Sequence, residues 1–237
     1  MKKIVEKLKA GTLLKYIFWK LGITNCFNLL ISKLLDKEVR RWFRDNGDRK
    51  YRFDYQIDKN GLIFDLGTYT GNDIKQFSKL FNCKIYGFEP SNMIYKKIKK
   101  SELSPNVKIY NFGFSDKNCS AYLINKNDSS YVVNYPPKKN IDYEKIQLKK
   151  LSEFINAENI NKISLININT EGSEYKILKD LIKSGFIGIV DSLQIQFHRN
   201  TFLYPVKKYF IINKLKKTHN LNWEYKYVWE RWDRKLT

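Results

Sequence analysis

The sequence predicts an α/β fold: a mostly parallel sheet with helices on both faces, preceded by a basic helical extension over residues 1–60. Two observations predict it. From Gly61 onward, short apolar runs alternate with stretches of helical periodicity, which is the pattern of successive strand–helix–strand units. The stretch GLIFDLGTYTGNDIKQF, Gly61 to Phe77, also runs an apolar strand into a glycine turn and then into a helix start. That order serves nucleotide-type ligands.

The elements follow in order. Leu13, Leu14, Ile17, Phe18 and Leu21 fall at helical spacing, as do Phe27, Leu30, Ile31 and Leu34. These helices read either as an interfacial segment resting on an anionic membrane or as a cap on the main domain, residues 61–237. Leu62–Asp65 is the first strand, and Ile74, Phe77, Leu80 and Phe81 form one face of the first helix. Lys84–Phe88 is the next strand and Ser91 to Lys100 the next helix. Val107–Phe112 is the third strand and Ile163–Ile168 the fourth. Glu174–Ser184 is a helix closed by Gly185, and Val190–Phe197 is the fifth strand. The long insertion Ser115 to Lys150 reads as a hairpin, Ser120–Ile124 and Tyr131–Tyr135 around a polar turn. The aromatic tail, Asn222 to Arg234, fits a strand with its odd-numbered residues buried.

Bulk properties narrow the chemistry. The 237 residues suffice for one substantial core. Forty-four basic against 24 acidic residues leave +20. This reads as a partner of negative charge or as a lysine-solvated surface. The basic residues are spread along the chain, which argues against nucleic acid. Cys26, Cys83 and Cys119 stand alone, and with two histidines no zinc cluster is expected. Unpaired cysteines point to a reducing, cytoplasmic compartment. Lys15, Lys20, Gly22 and Asn25 interrupt the most apolar N-terminal run, so neither a membrane span nor a signal peptide is expected there.

The glycine turn reads Gly67-Thr68-Tyr69-Thr-Gly71, after Asp65 and ahead of Asn72-Asp73. Dinucleotide sites need G-x-G-x-x-G, and the third glycine has no counterpart here. A ligand without a pyrophosphate fits better, and S-adenosylmethionine is one. Glu89 stands 24 residues after Asp65, at the end of the neighbouring strand and ahead of Pro90. There a carboxylate can accept from both ribose hydroxyls.

The segments DLGTYTG, YGFEPS, VKIYNFGFSD, SLININTEGSEYKIL and SLQIQFH resemble the successive motifs of the FkbM-type methyltransferases, over about Gly61 to His198. The resemblance implies a class I, Rossmann-like domain and an S-adenosylmethionine-dependent O-methyltransferase acting on sugars, glycans or natural products. The family's K-I-D-x-E-G appears as Asn167-Ile-Asn169-Thr-Glu171-Gly172. Its G-A-N-x-G is Gly67-Thr-Tyr69-Thr-Gly71, its L-D pair is Leu151-Ser152, and its acid before F-H is Gln196. With these amides, metal binding is not expected. Gly113 and Phe114 fall where adenine would lie, and Asp116 either accepts from its amine or forms a turn.

A hydroxyl acceptor benefits from a base within hydrogen-bond reach. His198 and Glu171 are the candidates, with Asn169 placed to hold the methionine part or the acceptor. Glu174 reads as a helix cap, and Ser129 and Ser130 as acceptor contacts. The acceptor expected is a small molecule or glycan of capsule, lipopolysaccharide or secondary-metabolite type, with peripheral contact to the inner face of an anionic membrane. Two alternatives stand beside this reading: an RNA methyltransferase, and a fold-retaining binding protein with weak catalysis.

Overall fold

The computed structural model describes residues 36–124, 130–138, 140–198 and 204–236. The helices expected before residue 35 and the turn at 125–129, with Ser129, lie outside them, as does Cys26. Residues 36–44 are helical (α1), followed by α2 (Gly47–Lys50). The α/β core is β1 (Leu62–Leu66), α3 (Asn72–Leu80), β2 (Lys84–Phe88), α4 (Asn92–Lys100) and β3 (Val107–Tyr110). It resumes with α5 (Leu151–Ala157), β8 (Ile163–Ile168), α6 (Glu174–Ser184), β9 (Val190–Ile195), α7 (Tyr204–Leu215) and the hairpin β10 (His219–Tyr225) and β11 (Trp229–Arg234). Between the two halves lie β4 (Gly113–Ser115), β5 (Cys119–Ile124), β6 (Tyr131–Val133) and β7 (Tyr143–Lys150).

The main sheet has seven strands in the order β10-β11-β9-β8-β1-β2-β3. Pairs β1–β2, β1–β8, β2–β3 and β8–β9 are parallel, and β11 runs antiparallel to both its neighbours. From β1 the chain winds outward through β2 and β3. From β8 it winds the other way through β9. The order therefore reverses between β1 and β8, and a crevice opens beyond their carboxyl ends.

Alternation along β1 feeds two cores. Phe64 and Leu66 join Phe88, Phe114, Phe154 and Leu178 on one face. Ile63 joins Ile74, Phe77 and Ile85 on the other. Each such side chain contributes roughly 1.5–3 kcal/mol by leaving water. Residues 36–60 pack against the same sheet. Trp42 meets Tyr225 and Trp229, and Tyr55 lies in the Ile63 core.

Several expectations differ in detail. Leu80 is exposed, because α3 turns only Ile74 and Phe77 fully inward. The third strand ends at Tyr110, and the chain then bends so that Phe112 and Phe114 pack on Phe88. The insertion is more than a hairpin: β5–β6 joins β7 and β4 in a second sheet of order β4-β7-β5-β6. The tail is two strands, with Tyr227 at positive φ in the turn and the even-numbered Trp232 among the most buried side chains. Among the described residues no helix is long and apolar enough to cross a membrane.

Candidate functional site

A cavity of about 240 Å³ opens at the reversal point. The tip of β1 supplies Leu66, Gly67 and Tyr69 to its wall, and the tip of β2 supplies Glu89 and Pro90. The turn after β8 supplies Asn169, Thr170 and Glu171. The second sheet roofs it with Gly113, Phe114, Leu123, Val132 and Leu148. Ser130, next to β6, is also on the wall.

The β1 turn is shaped by its neighbours. The amides of Gly67 and Thr68 both donate to the Phe88 carbonyl, at 3.0 and 3.2 Å. Gly67 has φ +85°, and a Cβ there would lie 1.9 Å from the Asn169 carbonyl oxygen, so only glycine lets β1 and β8 close at this point. Tyr69 follows at φ 48°. This left-handed bend turns its amide to Glu89 Oε2 at 2.9 Å. Glu89 Oε1 accepts from the Ser91 amide at 2.8 Å. Each carboxylate oxygen thus holds one backbone N–H and keeps acceptor capacity toward the cavity. Burial pushes the Glu89 carboxyl up, against the two amides that favour its charge.

The turn after β8 carries the second left-handed non-glycine residue on the wall, Glu171 at φ 52°. Its oxygen lies 3.3 Å from His198 Nε2. His198 Nδ1 lies 3.0 Å from Glu174 Oε1. Glu174 is fully buried at the first residue of α6 and also accepts from the Thr170 and Gly172 amides, at 3.1 and 3.0 Å. Burial opposes a charge on the ring, but the two carboxylates outweigh it and push His198 up to about 10. At neutral pH both ring nitrogens then carry protons, and neither can take another. Of the two residues expected as base, Glu171 lines the cavity and His198 does not. It sits behind Glu171, off the cavity wall, and orients it.

The other expected residues divide cleanly. Gly67, Tyr69, Glu89, Pro90, Gly113, Phe114, Asn169 and Glu171 meet around the cavity. Asp65, Thr68, Gly71 and Asp116 do not line it. Asp65 is buried beneath the turn and accepts from Asn167 Nδ2 at 2.7 Å. Thr68 Oγ1 bonds back to the Asp65 carbonyl at 3.2 Å. Gly71 takes φ +77° as the N-cap of α3. Asp116 is held by Lys179 Nζ of α6 at 3.0 Å, off the cavity wall.

One functional connection was not visible in the sequence. Glu144 on β7 accepts from Ser91 Oγ and from the Asn92 amide, both at 2.6 Å. It caps the first turn of α4 from the second sheet and fastens the roof to the Glu89 loop.

S-adenosylmethionine fits these residues on two observations. Asn169 Oδ1, on the wall, is buried with no hydrogen-bond partner, an acceptor suited to an ammonium group. The Glu89 carboxylate shares the wall with the apolar Leu66, Phe88, Pro90, Ile94 and Phe114, as a ribose diol beside an adenine requires. Among the described residues no three His, Cys, Asp or Glu side chains are grouped to hold a metal ion.

A family model, the methyltransferase FkbM domain, matches residues 65–219. No curated protein matches the sequence. Among solved structures, an rRNA methylase from Streptococcus thermophilus is similar at 11% identity and TM-score 0.45, over 76% of this chain and 90% of that one. The N-terminal domain of human METTL16, in complex with S-adenosylhomocysteine, is similar at 15% identity and TM-score 0.41, over 86% and 68%.

Proposed function

Because this chain belongs to the methyltransferase FkbM family and is an S-adenosylmethionine-dependent methyltransferase, we propose that it methylates a hydroxyl of a sugar, sugar nucleotide or glycan. Glu171 carries this reading. It places a carboxylate on the cavity wall, in the turn where enzymes acting on base amines carry an N-P-P-Y-type segment.

The bound cofactor supplies an electrophilic methyl on its sulfonium. Glu89 takes the ribose hydroxyls and Asn169 the ammonium group. Phe114, Leu123 and Leu148 keep water from the apolar part. His198 holds Glu171 at 3.3 Å, so the carboxylate is oriented before an acceptor arrives. Glu171 then receives the proton of the acceptor hydroxyl. Holding the hydroxyl in line with the methyl would contribute through positioning, an effect worth roughly 7–11 kcal/mol at best. The same reading takes no nucleic acid as partner. It places the enzyme in the cytoplasm, where the unpaired Cys83 and Cys119 would stay reduced.

Incubation with the cofactor and a panel of sugar nucleotides and glycan extracts should produce a mass gain of one methylene in one of them. Methyl incorporation into RNA, with none in any glycan, would refute the acceptor class. Calorimetry with Glu89→Ala should show cofactor affinity weakened at least about tenfold, or about 1.4 kcal/mol. Unchanged affinity would remove Glu89 from the ribose site.

A further inference from the structure

We propose that the outward face of α7 docks on an anionic lipid bilayer. The helix is apolar on two sides. Tyr204, Ile211 and Leu215 are buried against the domain. On the other side Val206, Tyr209 and Phe210 are 50%, 64% and 60% exposed. Their three- and four-residue spacing gathers them on one face. The Tyr209 and Phe210 rings pack edge to face, with centroids 5.8 Å apart, and form a single apolar knob. Exposed apolar side chains gathered on the outward side of a helix mark a surface that is covered in use.

Charge identifies the cover. Lys207 and Lys214 flank the knob, Lys216 and Lys217 follow it, and all four are exposed. From Tyr204 to Lys217 there is no acidic residue. Lys208 is turned inward, where it pairs with Glu224 and Glu230. Those two acids are thereby kept off the outward face. Aromatic and aliphatic side chains with lysines along one flank and beyond the helix end match the boundary between acyl chains and anionic headgroups. A single-stranded RNA would call for rings standing apart as stacking platforms. Here the two rings pack on one another, beside an aliphatic Val206.

The location also suits the proposed chemistry. Lys208 lies 5.1 Å over the Phe197 ring, next to His198. Docking through α7 would present that end of the domain to a lipid-linked acceptor. That consequence rests on the glycan reading, whereas the docking does not.

Flotation of the full chain with vesicles at about 0.15 M salt tests this without cofactor or acceptor. Its failure would therefore leave the methyl-transfer reading intact. Wild type should float with vesicles containing one-third phosphatidylglycerol, by mole, and not with phosphatidylcholine alone. Tyr209→Ser/Phe210→Ser and, separately, Lys207→Glu/Lys214→Glu should each cut partitioning at least fivefold, with thermal midpoint and cofactor affinity retained. Wild type that ignores anionic vesicles, or equal flotation of both double variants, overturns the proposal. So does a lowered thermal midpoint in both, which would mean that the chain's own residues cover the face. A dimer that the aromatic variant dissociates, or RNA binding that it abolishes while flotation persists, overturns it as well.

Discussion

Asn167 on β8 donates to Asp65 on β1 at 2.7 Å, and Gln194 on β9 donates to Asn167 at 2.8 Å. The three are register partners, so a buried polar row crosses the middle of the sheet to Tyr55, whose hydroxyl donates to Gln194 at 3.1 Å. The family's lysine is absent from this row, and a neutral amide faces the acid instead. Burial, and next the charge of Asp73, push Asp65 up to about 7.

The sign of the consequence is definite. A carboxyl whose folded value lies above its unfolded value of about 3.9 holds its proton more tightly when folded. Its contribution is full below about pH 3.9 and is lost as pH rises toward about 7. Urea midpoints measured at pH 5 and pH 8 should fall in wild type and fall clearly less in Asp65→Asn. Equal drops in the two proteins would show that Asp65 titrates normally.

His198 gives a dependence of the same sign in a higher pH window. Its folded value near 10 exceeds the unfolded one, so the stability from its two carboxylates is full below about 6.5 and lost as pH rises through about 10. His198→Gln should flatten the stability loss between pH 7 and pH 10. It should lower turnover through misplacement of Glu171, without creating a new ionisation near pH 6.5. An activity profile in which wild type rises with a midpoint near 6.5 that His198→Gln abolishes would restore His198 as the base.

Glu144 should act on the cofactor from a distance. Its two bonds cap α4 beside Glu89, and loss of a cap costs about 0.5–2 kcal/mol. Calorimetry on Glu144→Ala should show affinity for S-adenosylhomocysteine reduced about three- to tenfold, and Glu144→Gln should lose less. Identical affinity in all three proteins would uncouple the roof from the site.

The two glycines of the first turn should differ sharply. Gly67→Ala would drive a methyl into the Asn169 carbonyl at 1.9 Å, and we expect a loss above about 3 kcal/mol. At Gly71 the nearest atom to an added Cβ is an Ile98 methyl at 3.6 Å. Gly71→Ala should cost only the left-handed backbone penalty, about 1–2 kcal/mol. Comparable denaturation midpoints for the two variants would contradict the close approach of β1 and β8.

The sequence was most legible where local rules suffice. β2, β8 and α6 fall at the bounds their apolar runs and the Gly185 cap define. Glu89, Asn169 and Glu171 reached the cavity because strand ends in a parallel sheet point to one crevice. The rest depended on distant partners. β7 reads YEKIQLKK, and only its pairing with β5 and β4 makes Ile146 and Leu148 core residues. α7 carries apolar residues on both its inward and its outward side, with Lys207, Asn213 and Lys214 among them, so periodicity did not mark it. Asp116 turned to Lys179, a partner 63 residues away that its own neighbourhood does not announce. The left-handed bends at Tyr69 and Glu171 sit on residue types that give no sign of them.

Leu123 and Val132 belong to strands that share no hydrogen-bonded register with the seven-stranded platform. Exchanging side chains on that hairpin would re-tailor the chamber's ceiling while its floor, with Gly67 and Glu89, stayed as cut. Such division of labour offers this scaffold a route to new customers by drift in one detachable panel, and chimeras that swap residues 119–133 between relatives are the natural way to read that history.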